Sequence, residues 1–416
     1  MKGADIAPLL AAAARGDEAG FLEQGAKLAS AGGDAVAGWR GIALALNAAG
    51  QPAWAARAQH QTVRAGRDTP GLRLDDEAFL GDLLLRSGDL NGARDVLGGL
   101  VAREPDFVPA MALLAATWAS AARFEKAAEL YRRILARRPD HIQALDGLAR
   151  AAGWIGAREE ALAAGRRALE HKDRAVRAQP PVWSLGKAVA PPFDPARPER
   201  NVIAYSLWGD RPRYLETAVH NARIAPEIYP SWRCRFYCDD TVPSAVRQRL
   251  TALGATVVMR PRPAMRHAAL FWRFLVADDP AVDRFLVRDA DSLLTVRERV
   301  AVDDWLLGDL PFHAMRDWWS HTDLLLAGMW GGTGGLLTGL ARQIERYLAR
   351  PEVANRALDQ GFLAHVVWPA VHGRCLIHDD IYGSLGARPF PPLGRLPEGQ
   401  HVGMNAVGYD EVRARR

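Results

Sequence analysis

Up to about residue 175 the apolar positions recur with a helical period, in Ala-, Leu- and Arg-rich stretches interrupted by short Gly-containing breaks. Within this region Gly88-Asp89-Leu90-Asn91-Gly92-Ala93 leads to Pro105, and Ala122-Arg123-Phe124-Glu125-Lys126-Ala127 leads to Pro139. Ala93 and Ala127 are 34 residues apart, as are Pro105 and Pro139, and Ala161 falls one period later in Gly156-Ala157-Arg158-Glu159-Glu160-Ala161. Between 177 and 200 the pattern stops. Pro180-Pro181, Pro191-Pro192, Pro195 and Pro198 exclude a helix or a central strand and predict a linker or a strap over the surface. From Asn201 the period changes. Strands are predicted at Val202–Leu207, Cys234–Cys238 and Thr256–Met259, with helices around Tyr214–Ile224 and Ser244–Leu253 between them. Alternation at these lengths predicts an α/β domain with a mainly parallel sheet. The expected organisation is thus an all-α region over 1–176, a Pro-rich linker over 177–200 and an α/β domain over 201–416.

The repeat, with small residues at its close-packing positions, a terminating Pro and an aromatic at Tyr131, resembles the tetratricopeptide repeat. The likeness is strongest over residues 74–172. Gly50-Gln51-Pro52-Ala53-Trp54-Ala55 and Arg15-Gly16-Asp17-Glu18-Ala19 look like two further units out of strict register. The resemblance implies a solenoid of stacked helix pairs whose curved surface holds a protein partner or a second copy of the chain, or which braces the other half.

Composition adds limits. The 416 residues are 49% hydrophobic and 24% charged, an ordinary profile for a globular protein of two or three domains. The net charge of +5 comes from dispersed arginines with no basic block, which excludes a dedicated nucleic-acid arm but suits a cleft for phosphates. Cys234, Cys238 and Cys375 match neither a disulfide framework nor a zinc spacing, and a reducing, cytoplasmic setting is expected. The first residues lack the order of a secretory signal and no apolar run is long enough to span a bilayer. Peripheral attachment at the inner membrane would need a partner.

The most informative stretch is Phe285-Leu286-Val287-Arg288-Asp289-Ala290-Asp291-Ser292. An apolar run entering an acidic pair reads as a buried strand whose end delivers two carboxylates to a crevice. Residues two apart on an extended chain point the same way, so Asp289 and Asp291 can reach one divalent cation. In parallel sheets ligands bind beyond the carboxyl ends of strands, where Gly209, Asp239 and Asp289 would lie. Arg273 and Arg288 offer two-pronged contacts to phosphate or to the acidic pair, and for Arg273 a buried structural ion pair is an equal alternative. His313, Arg316, Asp317 and His321 crowd ionisable groups just before Gly328-Met329-Trp330-Gly331, read as a small-residue loop beside a Trp that could meet a sugar face or belong to the core. Asp359-Gln360 opens a helix, as a site or as a cap.

Together with Phe271-Trp272-Arg273-Phe274, Arg297-Glu298, Trp305 and His378-Asp379, these motifs over about residues 200–410 resemble bacterial glycosyltransferase-like proteins of the GT-A fold, a Rossmann-type architecture. Leu293-Leu294 departs from the Arg-Leu expected after the acidic pair. The resemblance implies a nucleotide-sugar donor, with Mn²⁺ or Mg²⁺ held on its diphosphate by Asp291, by Asp289 directly or through water or ribose, and by a third ligand near the end of the domain, for which His378 is the candidate and Asp379 the next. Phosphate and sugar contacts then fall to Arg273, Arg288, Trp330 and Gly331, and an acceptor-activating base to Asp317 or Asp359. The acceptor would be a glycan, a lipid-linked glycan or a protein, and the repeat domain would position that acceptor or a partner. The alternative is a non-catalytic repeat scaffold or adaptor with a degenerate glycosyltransferase-like half. A nucleotidyl- or phosphotransferase is less favoured, because Leu293 stands where a phosphatase-type pattern expects Thr and no Gly-x-x-x-x-Gly-Lys-Ser/Thr loop occurs.

Overall fold

The computed structural model describes residues 6–66, 73–186, 191–263, 265–350 and 358–405. The extreme ends of the expected first and last domains, and 187–190 of the Pro-rich stretch, lie outside the described residues. The chain divides into two compact units, Met1–Gly165 and Arg166–Arg416.

In the first unit the helices come in pairs: α1 (Ala7–Arg15) with α2 (Glu18–Ser30), α3 (Ala35–Ala48) with α4 (Pro52–Gly66), α5 (Leu74–Ser87) with α6 (Leu90–Arg103), and α7 (Val108–Ser120) with α8 (Phe124–Arg137), followed by α9 (Ile142–Trp154) and the first turns of α10 (Arg158–Arg177). Each hairpin turns through one residue of positive φ, at Gly16, Gly50, Gly88, Ala122 and Gly156. Four of these five positions carry glycine because the left-handed conformation costs a side-chain-bearing residue about 1–2 kcal/mol. The turns repeat every 34 residues, except for a step of 38 between Gly50 and Gly88. The two upstream units are therefore in register with each other and offset by four residues from the rest. Small residues set the helix spacing: Ala93, Ala127 and Ala161 are fully buried. A Cβ on Gly147 would lie 2.2 Å from the Tyr131 ring and one on Gly38 2.2 Å from the Ala29 carbonyl oxygen. Asp17, Asp34 and Asp89 cap their helices by accepting from the backbone amides of Gly20, Ala37 and Gly92. Ala122, with φ 54°, is the exception among the turns. Ala122→Gly is expected to stabilise the first unit by about 1 kcal/mol, read as a rise in its denaturation midpoint at unchanged slope.

The division between units falls inside α10, eleven residues before the expected boundary at 176. The second half of that helix is bonded to the second unit. Arg166 donates to the Tyr382 carbonyl, Lys172 pairs with Asp323 at 3.0 Å, and Asp173 accepts from the Trp368 indole. The described part of the Pro-rich stretch is a strap on that unit. Trp183 donates to the Thr338 carbonyl, Phe193 stacks on Trp232, and Arg284 donates to the Pro191 carbonyl.

The second unit is built on a seven-stranded mixed sheet of order β3-β2-β1-β4-β6-β5-β7. Its strands are β1 (Asn201–Leu207), β2 (Arg233–Cys238), β3 (Thr256–Met259), β4 (Arg284–Val287), β5 (Phe312–Arg316), β6 (Trp330–Thr333) and β7 (Cys375–Asp379). Only β6 runs antiparallel to its neighbours, so the carboxyl ends of the other six share one edge. Helices α11 (Pro212–Ile228), α12 (Ser244–Ala252) and α13 (Val296–Leu306) cover one face, burying Leu215, Leu250 and Trp305 with Tyr205, Phe236 and Leu286. On the opposite face a 3₁₀ segment, Arg266–Asp278, and helices α14 (Leu340–Leu348) and α15 (Leu358–Phe362) enclose an aromatic core of Phe271, Phe274, Phe285, Trp330 and Phe362. Cys234 and Cys238 are buried, and all three cysteines are free.

Candidate functional site

Strand order reverses between β1 and β4: the chain steps from β1 outward through β2 and β3, and β4 lies on the other side of β1. A crevice opens beyond the carboxyl ends at such a point. Here it is a cleft of ≈370 Å³ lined by Ser206 to Arg211 and Tyr214, by His267, Leu270 and Arg273, and by Asp289, Ala290 and Asp291. The acidic pair thus stands where its place in the sequence put it.

Strand alternation decides which neighbours reach the cleft. Phe285 and Leu286 pack on opposite faces, so Asp289 turns to the side of Phe285, toward the 3₁₀ segment. There Arg273 pairs with Asp289 at 2.6 Å and with Asp359, on α15, at 2.7 Å. Arg273 is itself fixed from below, because Ser206 accepts from its backbone amide and donates to the Leu270 carbonyl. Gly328 closes against the Asp289 carboxylate, where a Cβ would come within 2.2 Å. Asp291 pairs with Arg213, in the first turn of α11. Burial and the Asp289 charge raise the Asp291 carboxyl above the ordinary range, and burial raises that of Asp359. Gln360 joins the same network, accepting from the Ala327 amide at 2.7 Å and donating to Asp323.

Arg288, Trp330, Gly331 and His378, expected at the site, lie away from the cleft, as does Asp317. Arg288 points to the α13 face with Leu286, where it is 1% exposed and pairs with the fully buried Glu298 at 2.6 Å; it reaches no phosphate in the cleft. Trp330 is 1% exposed and packed edge-on against Phe274 and Phe285, so it offers no face to a sugar. Gly331 lies inside β6, not in a loop, and a Cβ there would meet the Phe285 carbonyl oxygen at 2.5 Å. His378 is on β7, three strands from β4 and so about 14 Å from it across the sheet. Its ring is occupied by His313 at 2.8 Å and Asp304 at 2.9 Å, and burial lowers its pKa. It cannot share an ion with Asp291. Asp379, the next candidate, is held by Arg316 and by the Ile381 and Tyr382 amides.

Asp317 follows β5 at the same sheet edge. Both its oxygens accept from the Val402 amide, at 3.1 and 3.2 Å, and burial pushes its carboxyl up to about 7. The ligand atoms of Asp317, His321 and His401 lie within 4.8 Å of one another. Gly403 connects this group to the acidic loop: its carbonyl accepts from Ser292 at 2.8 Å, and a Cβ on it would press on Met329. Arg213 and His401 are the residues that sequence reasoning missed. Arg213 had a signal, a cation at the start of the helix after the first strand. His401 had none, since 80 residues of chain separate it from His321.

Among known proteins, the tetratricopeptide repeat family matches residues 84–151. The helical region is consistent with a tetratricopeptide-repeat solenoid, with the family match confined to these residues. A solved structure described as the crystal structure of MamA protein is 21% identical and covers 42% of this chain and 93% of its own, with a TM-score of 0.33. A MamA structure from Desulfovibrio magneticus RS-1 is 17% identical and covers 33% of this chain and 80% of its own, with a TM-score of 0.30. No curated protein matches the chain. No helix among the described residues is long and apolar enough to cross a membrane.

Proposed function

We propose that the chain joins a protein-binding repeat array to a nucleotide-sugar-dependent glycosyltransferase site. The array half has the broader support: the family match and the stacked helix pairs favour capture of a peptide, a protein or a second copy of the chain, and a scaffold role follows from it alone. The transferase half is carried by one observation, the meeting of Asp289, Asp291, Arg273 and Asp359 around a cleft at the sheet's switch point. Two neighbouring carboxylates facing space for a diphosphate and its water fit Mn²⁺ or Mg²⁺, which take oxygen ligands and retain water. Asp289 and Asp291 would hold the ion, which would neutralise charge gathering on the departing diphosphate. Arg213, released from Asp291 as the ion takes its place, would be free to pair with phosphate. Asp359 is the better placed of the two candidate bases, since it is tied through Arg273 to the cleft, whereas Asp317 faces His321 and His401.

A second reading, an adaptor whose transferase-like half is degenerate, has an observation of its own. Each member of the acidic pair is already neutralised by an arginine, and among the described residues no His or Cys completes the pair as a three-ligand group. A thermal-shift screen of nucleotide diphosphates and nucleotide sugars, with and without Mn²⁺, separates the two. A donor present at a hundredfold over its Kd should stabilise the second unit by about 2.7 kcal/mol, and only with the ion. If no nucleotide shifts the transition under either condition, the adaptor reading stands.

A further inference from the structure

We propose that Asp317, His321 and His401 form a binding site for a zinc-class transition-metal ion, separate from the acidic pair at the cleft. Two imidazoles and one carboxylate are the donor set of an open zinc site, in which three protein ligands leave a fourth position to water or substrate. The acidic pair offers only oxygens and suits a harder ion, so the two sites differ in the metal they select.

The geometry supports it in three respects. The three ligand atoms lie within 4.8 Å of one another. The edge of a tetrahedral shell with bonds of roughly 2.1 Å is about 3.4 Å, so the group closes on an ion by side-chain movements of about 1 Å. Secondly, two of the ligands, His401 and Asp317, are already oriented from behind. Nδ1 of His401 faces the Val402 carbonyl oxygen at 2.8 Å, which places the proton there and leaves Nε2 with its lone pair for a metal. The Val402 amide donates to both oxygens of Asp317, so one residue orients two ligands. Trp318 stacks on the His401 ring with centroids 5.0 Å apart and restrains its rotation. Thirdly, a purely structural role leaves the imidazoles unexplained. The bond from Val402 to Asp317 would by itself hold the last described segment to the sheet. His321 and His401 instead approach edge to face at 4.9 Å without a hydrogen bond between them among the described residues, and Nδ1 of His321 accepts from the Asp317 amide at 3.2 Å and lies 3.7 Å from the Asp317 carboxylate, so Nδ1 is the ring nitrogen that would exchange that amide for the ion.

The test uses the full-length chain, stripped of metal with a chelator and titrated with Co²⁺ alone. One equivalent should bind with the intense visible absorption of a four-coordinate ion, and Zn²⁺ should displace it. His401→Gln and His321→Gln should each weaken Co²⁺ binding at least about a hundredfold. Asp291→Asn should leave it unchanged. His401 is only half-buried, so its substitution should not unfold the chain. An independent reading on the unmutated protein is protection of His401 from acylation of its ring by diethyl pyrocarbonate when Zn²⁺ is present. Absence of Co²⁺ binding up to millimolar, binding that survives both His substitutions, loss of binding in Asp291→Asn instead, or no Zn²⁺ protection of His401 would each overturn the proposal.

Discussion

Asp291→Asn is expected to abolish metal-dependent donor binding and to reduce transfer by about a thousandfold or more, while leaving the protein at least as stable as before. The functional loss follows from removing one of the two carboxylates proposed to hold the ion at the cleft, on which the charge stabilisation of the leaving diphosphate would depend. The stability expectation follows from the sign of the pKa shift. Burial and the neighbouring Asp289 raise the Asp291 carboxyl above its unfolded value. A raised group stabilises the fold below its unfolded pKa, and that contribution is lost as pH rises through the folded value. At pH 8 the charged form is the strained one, and replacing it with a neutral amide relieves the strain. Arg213, with 44% of its side chain exposed, can turn to water when its partner is neutralised. The measurements are donor turnover with Mn²⁺ and melting temperature at pH 5 and pH 8. Substantial metal-stimulated turnover by the variant would remove Asp291 from the site.

That prediction depends on a feature that could be read directly from the chain. An apolar run closing on an acidic pair signals a strand end because both the buried run and the two-residue spacing are local properties. The 34-residue period was legible for the same reason: each helix pair solves the same packing problem with small residues at the same places, such as Ala93, Ala127 and Ala161. What sequence reasoning lost was anything that depends on the order of strands. His378 looked like a third ligand because it precedes two carboxylates late in the chain, but β7 takes the far edge of the sheet, next to β5. The Gly-Met-Trp-Gly run looked like a loop, yet it enters β6, inserted between β4 and β5, where close packing against Phe285 and Leu286 excludes a Cβ at Gly331. Arg288 was misassigned by one step of alternation, since Asp289 faces the cleft and its neighbour must face the opposite way. The grouping of Asp317 and His321 with His401 arises only when the last described segment folds back beside the acidic loop.

Arg273→Met is expected to be the most destabilising single change at the cleft, costing about 3–5 kcal/mol. Arg273 is 3% exposed and serves two carboxylates at once; its removal leaves both without their cation. The two losses are unequal. Asp289 keeps 40% of its side-chain surface and can be hydrated, whereas Asp359 keeps 10% and cannot. Most of the cost therefore lies with Asp359, and Arg273→Met combined with Asp359→Asn should recover a large part of it. The dependence on pH separates this account from lost packing of the guanidinium over Phe274, whose ring centroid is 5.5 Å away. Burial already holds the Asp359 carboxyl above its ordinary value, against the opposing pull of Arg273. Without that arginine the folded pKa rises further. Below the unfolded value the carboxyl is protonated in both states and the variant bears no charge penalty. The penalty then grows as pH rises through the interval up to the raised folded value. Urea denaturation at pH 4.5 and pH 8 should show the deficit small at the lower pH and large at the higher. A deficit equal at both would assign the cost to packing, and failure of Asp359→Asn to recover stability would show that the bridge does not hold Asp359 in place.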